Sequence, residues 1–396
     1  MEINTVKLSE VCEITSSKRI YANEYTENGI PFYRSKEIIE KSNNQELSDP
    51  LFISNNRYNE ISAKFGSPKE NDILLTSVGT LGIPYLVRKD DLFYFKDGNL
   101  TWMRNFNNKI NSKYLYYWLR SDFGKMPLIS RAIGSSQGAI TIDILKKYPI
   151  LLPDINHQNK IVNIISNYDE LINEKSQLIS LQEKEIERIY KHLFFNKNVS
   201  TKAVRLNEII EIERGISYSS NEINTTEGIN LINLGNIKPF GGFNKEGIKK
   251  YNGAYKESQI VKDGDLIMGV TDMTQDRRTV GSVAILNNLE GLNAISSDLI
   301  LIKSDINNYY LFSMFKYGNV SKYISQLANG TNVLHLRPDS VLKTKINIPN
   351  KDLIEEYVFI VKDMFESNFI LEKQISLLID QRDKILPRLV SGKLKV

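Results

Sequence analysis

Apolar residues return in a seven-residue rhythm along two stretches of the chain. In the first, Ile161, Ile165, Tyr168, Ile172, Lys175, Ile179, Gln182, Ile186, Ile189 and Leu193 fall on one side of a helix. In the second, Tyr357, Val361, Met364, Asn368, Leu371, Ile375, Leu378, Arg382, Ile385 and Leu389 do the same. About five heptads in each predict two long coiled-coil helices. Pro153-Asp154 and Pro349-Asn350 put a capping side chain at each start. Gly392 is the expected stop, and Pro387 is expected to kink the last turn. At about 1.5 Å per residue such a helix is roughly 60 Å long. It needs a partner for its apolar stripe, and the simplest partner is the equivalent helix of the same chain. Four seam positions are polar: Lys175, Gln182, Asn368 and Arg382. They either set register and orientation or lie at a solvated edge of the seam.

Elsewhere the apolar runs are short and broken by Gly, Pro and Asn. Asp72–Thr76, Tyr85–Val87, Leu266–Gly269, Ser282–Leu286 and Asp298–Ile302 read as strands. Lys113–Asp122 and Asn308–Lys316 read as short helices. The fold class expected is α+β, with strand order not legible.

The chain repeats itself. Val6-Lys7-Leu8-Ser9-Glu10-Val11-Cys12-Glu13-Ile14 matches Val204-Arg205-Leu206-Asn207-Glu208-Ile209-Ile210-Glu211-Ile212 in its apolar and acidic pattern. Lys69-Glu70-Asn71-Asp72-Ile73 resembles Lys262-Asp263-Gly264-Asp265-Leu266. From Tyr114 to Leu193 a constant shift of 196 residues holds without a gap: Tyr114 falls on Tyr310, Asp143 on Asp339, Pro153 on Pro349 and Leu193 on Leu389. A repeat of this period implies two similar globular domains, 1–153 and 198–349, each followed by a long helical segment, 154–197 and 350–396. Two copies of each invite an internal pseudo-twofold axis with the helices antiparallel. DNA has local twofold symmetry, and two-headed readers place their heads about one helical turn, ~34 Å, or a multiple of it apart.

Composition narrows the class. With 41% hydrophobic residues among 396, the chain can build packed cores. It has no apolar run long enough to span a membrane and no basic-then-apolar leader, so no membrane association and a cytoplasmic location are expected. One cysteine, Cys12, excludes an internal disulfide; it aligns with Ile210, so a buried role is expected. His157, His192 and His335 lack metal-ligand spacing. The net charge of +4 is uneven: the helical stretches 154–195 and 350–396 together carry −2, and the remaining segments 1–153 and 196–349 carry +3 each. A slightly basic body is compatible with phosphate contact or with ordinary surface variation.

Catalytic constellations are missing from the sequence. It holds no phosphate loop, dinucleotide fingerprint, nucleophile elbow or Pro-Pro dipeptide. Glu183-Lys184-Glu185 and Pro153-Asp154 read better as a solvated helix face and a cap than as a nuclease site. The two bodies differ most in polar loops, where side chains that pair with base edges are concentrated. Candidate DNA contacts in the first are Lys18, Arg19, Arg34, Lys36, Ser77, Thr80, Arg131, Ser135 and Gln137. In the second they are Arg214, Asn233, Asn236, Lys238, Thr271, Gln275, Arg277, Arg278, Thr331 and Asn332.

Several short motifs recur in a familiar order: Lys7–Val11 and Arg205–Ile209, the strand entries at Asp72 and Gly264-Asp265, Gly134-Ser135 and Gly330-Thr331, Pro153 with Gln158 and Ile161, and the ending Leu386-Pro387-Arg388-Leu389-Val390-Ser391-Gly392. In this order they resemble the specificity (S) subunit of Type I restriction-modification systems. Two departures stand out: His157 replaces the usual Glu, and Leu353-Ile354 replaces the second helix-start Gln. The resemblance implies two target recognition domains, each reading half of a bipartite site in double-stranded DNA. It implies an antiparallel helix pair that sets the spacer and docks two modification (methyltransferase) subunits, which bind S-adenosylmethionine. Restriction subunits, using ATP and Mg, complete such complexes. This chain would bind no cofactor and catalyse nothing. Two other readings stay open from the residues: a free-standing two-headed DNA-binding regulator, and an enzyme of unrecognised class dimerised by its helices.

Overall fold

The structure, a computed structural model, describes residues 4–43, 45, 47–133, 138–195, 199–224 and 226–396. The first long helix runs Ile155–Phe194 and the second Lys351–Val390. Pro387 sits inside the second helix, which continues through it to Val390, and Gly392 follows at φ +73°. The chain divides into two compact units, Met1–Asn173 with Ser376–Val396, and Glu174–Ile375. The long helices are therefore not separate domains: each unit holds one α+β body and a share of both helices.

In the first unit, strands Glu13–Thr15, Leu100–Arg104, Ile73–Thr76 and Pro84–Leu86 form one antiparallel sheet in that order. A second sheet orders Tyr25–Thr26, Leu51–Ile53, Ile30–Tyr33 and Tyr94–Phe95, the last pair parallel. Asn4–Lys7 pairs with Pro149–Leu152, so the start of the chain closes on the strand that feeds the first long helix.

The second unit repeats this plan. Glu211–Arg214, Leu299–Lys303, Leu266–Gly269 and Val283–Ile285 form the first sheet. The other sheet has five strands, with Ile229–Ile232 and Asn293–Ile295 as its parallel pair. Thr201–Arg205 closes on Lys345–Pro349. One antiparallel pairing, Thr271–Asp272 with Leu334–His335, has no counterpart among the described residues of the first unit.

The repeated motifs have local physical causes. Leu8 and Leu206 are fully buried at the start of a single helical turn. Glu10 and Glu208 cap those turns, accepting the amides of Lys7 at 3.0 Å and Arg205 at 2.7 Å. Before the central strand, Asp72 and Asp265 each accept an amide three residues back, Lys69 at 2.9 Å and Lys262 at 2.8 Å. That turn needs a left-handed residue, which is Asn71 at φ +71° in one copy and Gly264 at φ +90° in the other. Gln158 is fully buried: it accepts the Asn111 amide at 2.8 Å and donates to the carbonyls of Lys109 and Pro153 at 2.9 and 2.8 Å. It ties the first long helix to its body. The buried Ile354 takes the corresponding place in the second copy with apolar contact instead.

The long helices pair within each unit. In the second, Lys175 donates to Gln374 at 2.7 Å and Gln182 to Ser367 at 3.4 Å, so the helices run antiparallel there. Ile186 and Tyr190 share a core with Tyr357, Val361 and Phe365. In the first unit, Ile161, Val162 and Ile165 share a core with Leu386, Leu389 and Val390. None of the seam positions is exposed. Arg382 is buried and meets Asp169 at 2.7 Å and Asp383 at 2.8 Å. Asp169 also accepts the Tyr117 hydroxyl at 2.9 Å and faces Arg120 at 3.3 Å. The 196-residue shift puts Phe365 and Ile186 where the first unit has Asp169 and Arg382. Phe365 stacks on Tyr309 at 4.7 Å and meets Phe312 edge-on at 5.7 Å. One layer of the repeat is thus charged in one unit and aromatic in the other.

Asp169 is half-buried, and Arg382 keeps Asp383 when Asp169 is removed. Asp169→Ala should lower unfolding free energy by about 1–2 kcal/mol through the lost contacts to Arg382 and Tyr117, and adding Arg382→Leu should restore part of it. Denaturant titration of the two variants checks this. Ile179→Asp, which places a charge on the seam, should abolish helix pairing, seen as lost helical circular dichroism; normal assembly would refute the seam.

Candidate nucleic-acid interface

Each body has a short connecting segment on which other loops converge. In the first unit this is 97–100. The Asn99 carbonyl accepts the Ser77 amide at 2.8 Å and the Ser35 hydroxyl at 3.5 Å. Arg19 pairs with Asp97 at 2.9 Å, and Ser16 donates to the Leu100 carbonyl at 3.4 Å. The segments carrying Lys18, Arg19, Lys36 and Thr80 therefore meet at one place, and all four of these residues are exposed. Lys18 rests its ammonium 4.7 Å from the Phe65 ring. Arg131 is exposed, with its guanidinium 5.0 Å from the Tyr148 ring.

Two expected contacts in this unit need correction. Ser77 is buried and hydrogen-bonds Thr101 at 2.7 Å, so it supports its loop from beneath. Arg34 precedes the helix Ser35–Ser42 and is spent on the buried Glu37, to which its backbone amide donates at 2.7 Å and its guanidinium also donates. Ser135 and Gln137 lie outside the described residues.

The second unit's equivalent is 296–298. The Ile232 carbonyl accepts the Ser296 amide at 2.8 Å, and the Asp298 carbonyl accepts the Val270 amide at 2.8 Å. Thr271 donates its hydroxyl to the Asp298 carboxylate at 3.0 Å. From here the chain enters the loop 273–278, which lies against the segment 329–335: Gln275 donates to the Thr331 carbonyl at 2.7 Å. Arg277 donates to Gln326 at 2.9 Å, and the exposed Arg278 pairs with Asp276 at 2.6 Å. Thr331 and Asn332 are exposed beside them. Five expected residues, Gln275, Arg277, Arg278, Thr331 and Asn332, thus form one platform. Arg214 is exposed at the end of its strand.

Two others, Asn236 and Thr271, are buried, while the half-buried Asn233 and the exposed Lys238 have partners within the unit. Asn236 is fully buried, donating to the carbonyls of Asn244 and Glu246 at 2.8 and 2.9 Å. Thr271 is buried on Asp298. Asn233 caps a turn by accepting the Gly235 amide at 3.0 Å. Lys238 is held by Glu372 of the second long helix at 2.9 Å. A polar residue on a loop satisfies its own backbone as readily as a ligand, and spacing alone does not separate the two.

Sequence reasoning missed Asp272, the anchor of the loop. One carboxylate oxygen accepts the amide and hydroxyl of Thr274, both at 2.8 Å; the other accepts the amides of Thr279 at 2.7 Å and Val280 at 3.2 Å. Burial opposes the charge, but these donors outweigh it and hold the carboxyl at about 2. The Asp-x-Thr spacing of an Asx-turn was the available signal. Among the described residues no group of three or more His, Cys, Asp or Glu could hold a metal ion, and no helix is long and apolar enough to cross a membrane.

These features define a duplicated α+β protein whose two bodies present different polar loops on a common scaffold. Residues 1–183 match the family model described as the Type I restriction modification DNA specificity domain. A Haemophilus influenzae protein assigned as a type I restriction enzyme specificity subunit is 29% identical over 193 residues, 48% of this chain and 47% of that one, so the match spans about half of that relative. The Type I restriction enzyme MjaIX specificity subunit of Methanocaldococcus jannaschii is 23% identical over 82% of this chain and 78% of its own. The crystal structure of the Type I restriction-modification system S subunit from M. genitalium shares the fold, with a TM-score of 0.60 and 15% identity over 98% of this chain and 96% of that one. Residues 1–183 thus match a Type I restriction modification DNA specificity domain, and the chain as a whole is similar to specificity subunits of type I restriction enzymes.

The Asp272 carboxyl sits below its ordinary value of 3.8 when folded. Its contribution, about 2 kcal/mol, is therefore complete above roughly pH 4 and is lost as pH falls toward about 2. Asp272→Asn should speed hydrogen exchange at the Thr274 and Thr279 amides at pH 7. The difference from the wild type should shrink as the acid limit is approached.

Proposed function

We propose that this chain is the DNA-reading subunit of a Type I restriction-modification complex. Each body reads one half of a bipartite site, and the long helices set the spacer between the halves. The same helices dock two modification subunits, which methylate the site from S-adenosylmethionine. Restriction subunits add ATP- and Mg-dependent cleavage. The chain itself binds no cofactor, and the complex works in the cytoplasm. The observation that carries this reading is one scaffold built twice in a single chain with unlike polar loops: Thr80 and its neighbours in one body, and Gln275, Arg278, Thr331 and Asn332 in the other. A protein with two identical tasks would have no reason to diverge there. Exposed apolar residues on the long helices, including Leu181 and Phe359, suit contact with a protein partner. The free-standing regulator is less favoured, because the relatives are specificity subunits of restriction enzymes.

Copurification with a methyltransferase subunit and methylome sequencing of the host test the reading. Replacing residues 198–349 by another second body should change one half of the methylated motif and leave the other intact. Arg278→Ala in the assembled complex should weaken DNA binding and reduce the salt slope by about one. Unchanged affinity and slope would take Arg278 off the interface.

A further inference from the structure

Phe240 combines a left-handed backbone with an exposed ring. Its φ is +62°, a value that bulky side chains rarely adopt. Buried packing would offset such strain, yet the residue is 65% exposed. The turn around it is closed by three backbone bonds. The Gly241 amide donates to Lys238 at 2.9 Å, the Lys238 amide to Gly242 at 2.8 Å, and the Phe240 amide to Arg278 at 2.7 Å. The last bond joins the turn to the 273–278 loop. Glycine would occupy this φ without strain, and glycines stand at the next two positions. The turn and the loop together carry Lys238, Arg277 and Arg278 against one acid, Asp276. Lys238 is engaged with Glu372 and Arg277 with Gln326, while Arg278 holds only an exposed ion pair, which costs little to exchange.

We propose that Phe240 is a wedge for duplex DNA: its ring enters a base step while Arg278 trades Asp276 for the adjacent phosphate. A lone aromatic ring flanked by cations has the chemistry for this, since every base has a face to stack on and every step has a phosphate beside it. The role is positional and differs from base-edge reading by Gln275, Thr331 and Asn332. It rests on the DNA-reading function proposed above.

The test uses the full chain assembled with its modification subunits. The probe is the duplex identified by methylome mapping, with a fluorescent adenine analogue moved step by step through the half-site of the second body. The wild type should unstack one step, seen as a rise in fluorescence. Phe240→Gly keeps the turn and removes its strain, so its melting temperature should be no lower than that of the wild type. It should lose the fluorescence rise and bind at least about fivefold more weakly. Its salt slope should be unchanged, because no charge is removed. Phe240→Trp should restore both signals. A Phe240→Gly complex with wild-type affinity and fluorescence overturns the proposal. So does a variant that fails to join the modification subunits, which would give the ring to a protein partner. A wild-type complex that binds no duplex DNA overturns the DNA-reading function itself, and the wedge with it.

Discussion

Neither long helix has enough apolar surface to stay folded alone, and each finds its cover in the other. In the first unit the cover includes a buried charge. Arg382 reaches across to Asp169, which also accepts Tyr117 and faces Arg120. A single carboxylate thus connects both long helices and the helix Ser112–Arg120 of the body. Gln158, one end of the same helix away, satisfies three backbone groups of the body at once. Unpaired, any of these groups would oppose folding; together they define how the body meets its helices.

The second unit solves the same problem with rings. Phe365, Tyr309 and Phe312 fill the layer that the ion pair occupies in the first, and the Tyr357 hydroxyl donates to Ser313 at 2.7 Å. Duplicated backbones therefore tolerate unlike side chains where the change is made on both partners. A charged layer cannot pair well with an aromatic one, so the divergence also distinguishes the two helices from each other. The parts that have not diverged are the ones with backbone duties: the capped turns at Leu8 and Leu206, and the left-handed turn before each central strand.

Loops are where the units part company. The first unit gathers its loops on the 97–100 segment; the second adds a strand pair and a carboxylate anchor at Asp272. A rigid neck lets a loop of six residues hold its exposed side chains in place without a core of its own. Such preorganisation suits recognition of a fixed pattern of base edges and phosphates.

The linear order of residues determined the repeat, the two long helices and the seam, because these depend on periodicity and on caps close in sequence. Ile155–Phe194 and Lys351–Val390 lie within a residue or two of the expected starts, and Asn308–Lys316 and Leu266–Gly269 were legible outright. Family motifs at Lys7–Val11 and Gln158 were visible as letters; their work as caps and bridges was not. Tertiary structure alone decided the second sheet in each body, whose short strands have too few residues for a period to show. It also decided which polar loop residues face outward. Ser77, Asn236 and Thr271 look like Thr80, Gln275 and Thr331 in sequence, but the first three are buried on partners tens of residues or one turn away. Burial is set by which segments converge on 97–100 and 296–298, and that convergence is a property of the whole fold.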